Sequence, residues 1–423
     1  NYISNSSRLT STFDVLWNSL VRLPNQENAV SLGILGLIST TWLAAGALLV
    51  AERIQLDAPM TPGQIAKPSD PDSHHTRTKN DAQPHFIRML MATLVLSALV
   101  GLVFWVWHAA TLVNLVKFVP ENIEQLMIQL GRVGSLLTNF YLYLIMIVLG
   151  LAYFLSISLP ARRSETSLIT TLMTLILIIA SFWIIYISNL RVIHADIAFK
   201  MAEPFNRPEQ WPIATQLYLY TNSLAPDQDH YYLFLGRSYL EQAKGERNAE
   251  RQDQLLREAE QELKEAQRKN PLNTDHTANL GRLYSWWASR AVDPQERKER
   301  GEIASRYYAS ALTLSPQNST LWGEWALLYL DVLDNPEEAF TRLQHALELD
   351  THYHWTLGLM GDYYSRMGQI YTDTIHKTQS LEKALDYYEQ AWEVSDREDA
   401  QTRIGYLVAM GNMYVELGKY DQA

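Results

Sequence analysis

The sequence predicts an all-α protein in two parts: four transmembrane helices, then a solenoid of stacked helix pairs. The first sign is length without charge. Four uncharged apolar runs fall within the first 200 positions, at about 29–51, 89–116, 133–159 and 167–190. A bilayer is crossed by about 20 apolar residues at 1.5 Å rise each. The second sign is a recurrence of small, aromatic and turn residues at fixed separations after residue 200. The third is charge. Residues 1–200 hold 13 Lys and Arg and 11 Asp and Glu, which leaves 22 and 35 of the totals of 35 and 46 for residues 201–423. A half with a net charge of −13 argues against nonspecific nucleic-acid binding, which needs clustered positive charge.

In order, residues 1–28 form an amphipathic segment with Phe13, Leu16, Trp17, Leu20 and Val21 on one helix face. Trp17 beside Arg22 suits a membrane interface, and an ordinary packing helix fits the pattern as well. Residues 29–200 form the transmembrane domain. Its loop 52–88 carries Pro59, Pro62, Pro68, Pro71 and Pro84 among polar residues and is expected to be irregular. His74-His75 in that loop lacks a nearby third ligand. Glu121–Gly131 is expected as a surface helix leading into the third span. An even number of spans puts Asn1 and the repeat half on one side of the cytoplasmic membrane. Lys and Arg tie at seven a side under the positive-inside rule. The Arg162-Arg163 pair in a short loop tips that loop toward the cytoplasm and the repeat half outward.

Residues 191–212 read as a bridge. Residues 201–423 then hold about five repeats. Ala214, Tyr218 and Pro226 close one helix pair, and Tyr232, Leu235-Gly236 and Tyr239 open the next. Ala259, Leu263, Ala266 and Pro271 close that pair after an insertion around Gly245–Gln254. Leu280-Gly281 and Tyr284, Trp325-Ala326 and Tyr329, and Met360-Gly361 and Tyr364 open further pairs. This spacing is the tetratricopeptide repeat (TPR) signature, in which small residues sit where antiparallel helices cross and a ring fills the adjoining hole. The closing residues Gly418, Tyr420 and Ala423 match the middle of such a repeat, and the first residue is Asn1. Both ends are therefore expected to be interior to a longer polypeptide.

The first helix of each pair lines a concave groove. Counting from the Gly and Tyr anchors places His230, Arg237, Glu241, Asp275, Arg282, Trp286, Asp331, Trp355, Asp362 and Arg366 there. Arg and Trp are common binding anchors, so this lining suits a protein partner, held as an extended peptide, or a polar polymer. The competing reading is that these groups are solvated or pair with one another. No catalytic constellation is legible: the chain has no GxGxxG, P-loop, HExxH or GxSxG, and no cofactor or metal is expected. The absence of Cys excludes disulfides, thiolate metal sites and a Cys nucleophile. His352-x-His354 is wrongly spaced for one helix face, and His108 in the second span reads as packing.

The spans, followed by Asn189-Leu190-Arg191-Val192-Ile193-His194-Ala195-Asp196, Tyr231–Arg237 and Asn270–Tyr284, resemble the C-terminal part of bacterial O-antigen ligase or polymerase-like membrane proteins that carry TPRs. The resemblance implies a cell-envelope protein that assembles surface glycans, with membrane lipids, lipid-linked glycan and a protein partner in its surroundings. If the chain is an enzyme, it implies a lipid-linked glycan transferase. That family works through Arg and His of an external loop and has about ten or more spans, so its catalytic residues fall outside this segment. The alternative is a non-catalytic TPR scaffold subunit of a multi-subunit membrane complex.

Overall fold

Apolar length alone shapes the first part of the chain, and the spacing of small residues shapes the second. The computed structural model describes residue 40 and residues 79–117, 122–158, 168–397 and 399–422. It divides into two units, Asn1–Ile185 and Tyr186–Ala423. The segment 1–28, the first expected span at 29–51 (residue 40 apart) and His74-His75 lie outside the described residues.

The first unit contains helices α1 (Lys79–Lys117), α2 (Ile123–Ser158) and α3 (Leu168–Ile185). Among the described residues, three helical stretches are long and apolar enough to cross a membrane: Val95–Leu115, Ile123–Gly150 and Leu168–Phe205. They overlap the second, third and fourth expected spans. Two expectations change. The last ten residues of the Pro-rich loop, 79–88, are helical, although Pro84, at the sixth position, removes one intrahelical bond. The expected surface helix before the third span merges with it from Ile123 onward. Helices α1 and α2 pack through Ala109, Leu112, Val113, Leu115 and Leu136, and Tyr143 donates its hydroxyl to the Val100 carbonyl at 2.6 Å.

The second unit opens with a π-turn, Tyr186–Leu190, followed by α4 (Arg191–Ala202) and a 3-10 turn, Glu203–Phe205. The expected bridge is thus mostly helix. Ala195, Ala198, Phe199 and Ala202 are buried on it, because small residues three and four apart let α4 lie close to α5 (Trp211–Leu224). Then come α6 (Asp229–Gly245), α7 (Ala249–Lys269), α8 (Thr274–Arg290) and α9 (Pro294–Leu314). They are followed by α10 (Ser319–Asp331), α11 (Pro336–Leu349), α12 (His354–Ile370), α13 (Thr374–Val394) and α14 (Ala400–Glu416). Asn248, Asn273, Asp293, Asn318, Asn335, Asp373 and Asp399 cap their helices by accepting backbone N–H bonds.

Each pair closes the same way. Ala214, Ala259, Ala304, Ala339 and Ala384 of the second helices are fully buried. A Cβ on Gly236, Gly281 or Gly361 would meet Leu263 at 2.7 Å, Tyr308 at 3.3 Å or Tyr388 at 2.5 Å. The ring over Gly281 is therefore Tyr308 of the partner helix. Tyr284 instead stacks on Trp287 and Tyr307 and donates its hydroxyl to Glu260. Successive first helices meet where Gly323 lies under Trp355 and Gly358 under Tyr406. A polar stitch joins two pairs: fully buried His276 meets Asp229 through Nε2 at 2.6 Å, and Asn270 donates to the same carboxylate at 2.9 Å.

Candidate functional site

Helix lengths differ between pairs, and the difference makes a cleft. The ring that opens a pair and the first fully buried Ala of its second helix are 20 residues apart at Tyr239–Ala259, Tyr284–Ala304 and Tyr364–Ala384, but only ten at Tyr329–Ala339. The extra residues form helix, not loop. The insertion expected around Gly245–Gln254 is largely the first turns of α7. Pairs α6/α7, α8/α9 and α12/α13 have 17 and 21 residues, whereas α10/α11 have 13 and 14. At 1.5 Å per residue, four to seven missing residues recess the α10–α11 turn by about 6–10 Å.

A cleft of about 860 Å³ lies at that turn. One wall is the early part of α9, with Arg297, Lys298, Glu302, Ser305 and Arg306. The floor is the turn itself, and Arg366 of α12 closes the other side. The turn is held tightly. Asp334 takes a left-handed φ of 51°, and the Asn335 N–H donates back to the Tyr329 carbonyl at 2.9 Å. Arg297 donates Nε to the Val332 carbonyl at 3.2 Å and Nη2 to the Asp331 carbonyl, satisfying groups a helix end leaves open. Gly301 allows this approach, since a Cβ there would sit 2.6 Å from Leu333.

The predicted groove residues fall into two sets. Asp331 and Arg366 come together at 3.0 Å beside this cleft, with Asp334 3.6 Å from the same guanidinium. Desolvation pushes the Asp331 carboxyl above its ordinary value, against the pull of Arg366 and Arg297. Arg282 is spent on Glu324, its Nε at 3.0 and 2.9 Å from the two carboxylate oxygens. Asp362 accepts the Tyr388 hydroxyl at 2.7 Å, and desolvation raises its carboxyl despite that bond. Trp355 wedges over Gly323, Glu241 pairs with Lys244 at 2.7 Å, and Trp286 lies under Arg290. His230 packs on Phe199 and Phe234, and desolvation lowers its imidazole. Arg237 and Asp275 are exposed. The structure thus gathers two of the ten at one cleft and engages most of the others within the stack.

Sequence reasoning missed the α9 wall. Its signal was legible: residues 294, 297, 298, 301, 302, 305 and 306 follow the three- and four-residue steps of one helix face. The Asn189–Asp196 stretch lies at the start of the solenoid. There Arg191 donates Nε to the Leu224 carbonyl at 3.0 Å and Ala195 is fully buried, a packing role. His352 and His354 have separate partners, Thr351 and Tyr406.

No family model matches the chain, and no curated protein matches it. Among solved structures, it is similar to a thermophilic TPR protein of Thermus thermophilus, with 19% identity over 51% of this chain and 98% of that one and a TM-score of 0.41. It is also similar to pilF of Pseudomonas aeruginosa, with 16% identity over 55% and 97% and a TM-score of 0.36. A third is YrrB, described as a TPR protein with an unusual peptide-binding site, with 16% identity over 50% and 90% and a TM-score of 0.30. The repeat assignment for this chain rests on its own helix pairs.

Proposed function

We propose that this chain is a membrane-anchored TPR scaffold that holds a segment of a protein partner in the step between its helix pairs. One observation carries the reading: a short pair set between two long ones leaves a polar cleft of about 860 Å³, lined by side chains from α9, α10 and α12. Binding surfaces concentrate in concave places where several elements meet. Anchoring is supported by the apolar stretches, above all α3, on which no residue is buried. The Arg162-Arg163 pair supports an extracytoplasmic repeat half. The glycan transfer implied by the family resemblance gains no support from the described residues.

Three measurements test this. Alkaline carbonate extraction should leave the full chain in the membrane pellet, and release into the supernatant would overturn anchoring. The chain has no cysteine, so single cysteines at Ser310 and Ser164 should react with an impermeant maleimide from opposite sides of the membrane. A photocrosslinking residue at Ser305 should give one discrete protein adduct in cells. An absence of adducts there, with adducts at the far Lys377 position instead, would move the site away from the cleft.

A further inference from the structure

The cleft wall carries a charge pattern that assigns its ligand, resting on the scaffold reading above. On α9, Lys298, Glu302 and Arg306 are exposed and line the cleft. They follow each other at four-residue steps, so they share a face about 6 Å apart along the helix axis. Among the described residues, none of the three enters an ion pair or side-chain hydrogen bond, although oppositely charged neighbours at this spacing commonly do. Arg297 and Arg366, in contrast, are committed to the turn and to Asp331. The wall therefore offers positive, negative and positive groups in a row, each with bonding capacity left.

An extended peptide presents alternate side chains on one face, about 6.6 Å apart. That step matches the helix step to within the reach of flexible Lys, Glu and Arg side chains. From Pro294 to Arg306 the wall runs about 18 Å, the length of about five extended residues. We infer that the cleft binds an extended protein segment with the pattern acidic–x–basic–x–acidic, laid along α9 with its charges against Lys298, Glu302 and Arg306. Charge complementarity sets the register here, and like charges brought face to face exclude other registers. The solenoid as a whole is acidic, with 35 Asp and Glu against 22 Lys and Arg in residues 201–423, so an acidic segment would be repelled from most of it and drawn to this wall.

The test uses the full chain in lipid nanodiscs and fluorescent peptides of about nine residues, read by anisotropy at low salt. One peptide has a Glu-Ser-Lys-Ser-Glu core, a second has the same residues in the order Glu-Glu-Ser-Ser-Lys, and a third has the swapped core Lys-Ser-Glu-Ser-Lys. The first should bind about ten-fold tighter than the second. Combining Lys298→Glu, Glu302→Lys and Arg306→Glu should transfer that preference to the third. These are exposed side chains, and an unchanged melting temperature shows that the fold survives. Equal binding of the first two peptides, or an unchanged preference in the triple variant, overturns the inference. If Ser305 still crosslinks a partner in that event, the scaffold reading stands and only the charge register falls. If neither result is obtained, both fall.

Discussion

Helices α3 and α8 have nearly the same length, 18 and 17 residues, and opposite relations to their neighbours. On α3 every side chain is apolar or small and polar, and none is buried. On α8 half the residues are polar, yet ten are buried, including His276, Thr277 and Asn279. Apolar content tells which solvent a helix suits. The spacing of small and large residues tells which helix it lies against. One substitution in each exposes the difference. Tyr308→Ala removes the ring, 2% exposed, that covers Gly281 of α8. It should cost the solenoid about 3–5 kcal/mol, read as a lower urea midpoint of helical circular dichroism. Ile178→Lys on α3 should leave that midpoint alone and cost about 2.5–3.5 kcal/mol of membrane insertion, read by carbonate extraction. If the two effects trade places, the distinction is wrong.

That contrast also explains what the sequence made legible. The Ala and Gly spacing reports on contacts repeated from pair to pair, so the order of helix pairs could be read directly. Local spacing could not say whether ten additional residues make a loop or lengthen two helices together. The cleft, which depends on Tyr329–Ala339 being short where its neighbours are long, therefore went unread. Nor could it pair residues about 40 positions apart, such as Arg282 with Glu324 or His276 with Asp229. Those partners meet only because the stack turns by a particular amount at each repeat.

The His276–Asp229 stitch gives the next effect in size and separates polar from apolar contributions to stacking. Burial works against the Asp229 charge, but hydrogen bonds from His276 and Asn270 outweigh it and hold the carboxyl below its ordinary value of 3.8. A carboxyl lowered in the folded state contributes fully above its unfolded value and loses that contribution as pH falls through the folded one. Asp229→Asn should therefore cost about 1–2 kcal/mol near neutrality, since a neutral amide replaces a charged acceptor. Its melting temperature should also fall less steeply than that of the parent below pH ~4. Parallel acid limbs would show that Asp229 does not carry the sensitivity. His276 Nδ1 is buried without a partner, so replacing His276 itself would mix lost packing with lost charge.

The last comparison, which includes the smallest effect, is between two arginines at equivalent positions of consecutive first helices, one residue after Gly236 and Gly281. Both read from sequence as groove anchors. Arg282 is half-buried and forked onto Glu324, itself mostly covered, so Arg282→Ala strands a carboxylate and should cost about 1–2 kcal/mol of stability. Arg237 is exposed, and Arg237→Ala should change stability by no more than ~0.5 kcal/mol. Thermal melts of the two single variants, run side by side, decide it. Equal losses would mean that Arg237 has an anchoring partner within the stack. Equal indifference would mean that the Arg282–Glu324 pair is too well hydrated to matter, as many surface ion pairs are. A loss confined to Arg282 would show why one sequence position recurs in every repeat with different work to do. Its side chain is fixed by whatever the next helix presents opposite it, and at the fourth pair that place is taken by Leu327 and at the fifth by Asp362.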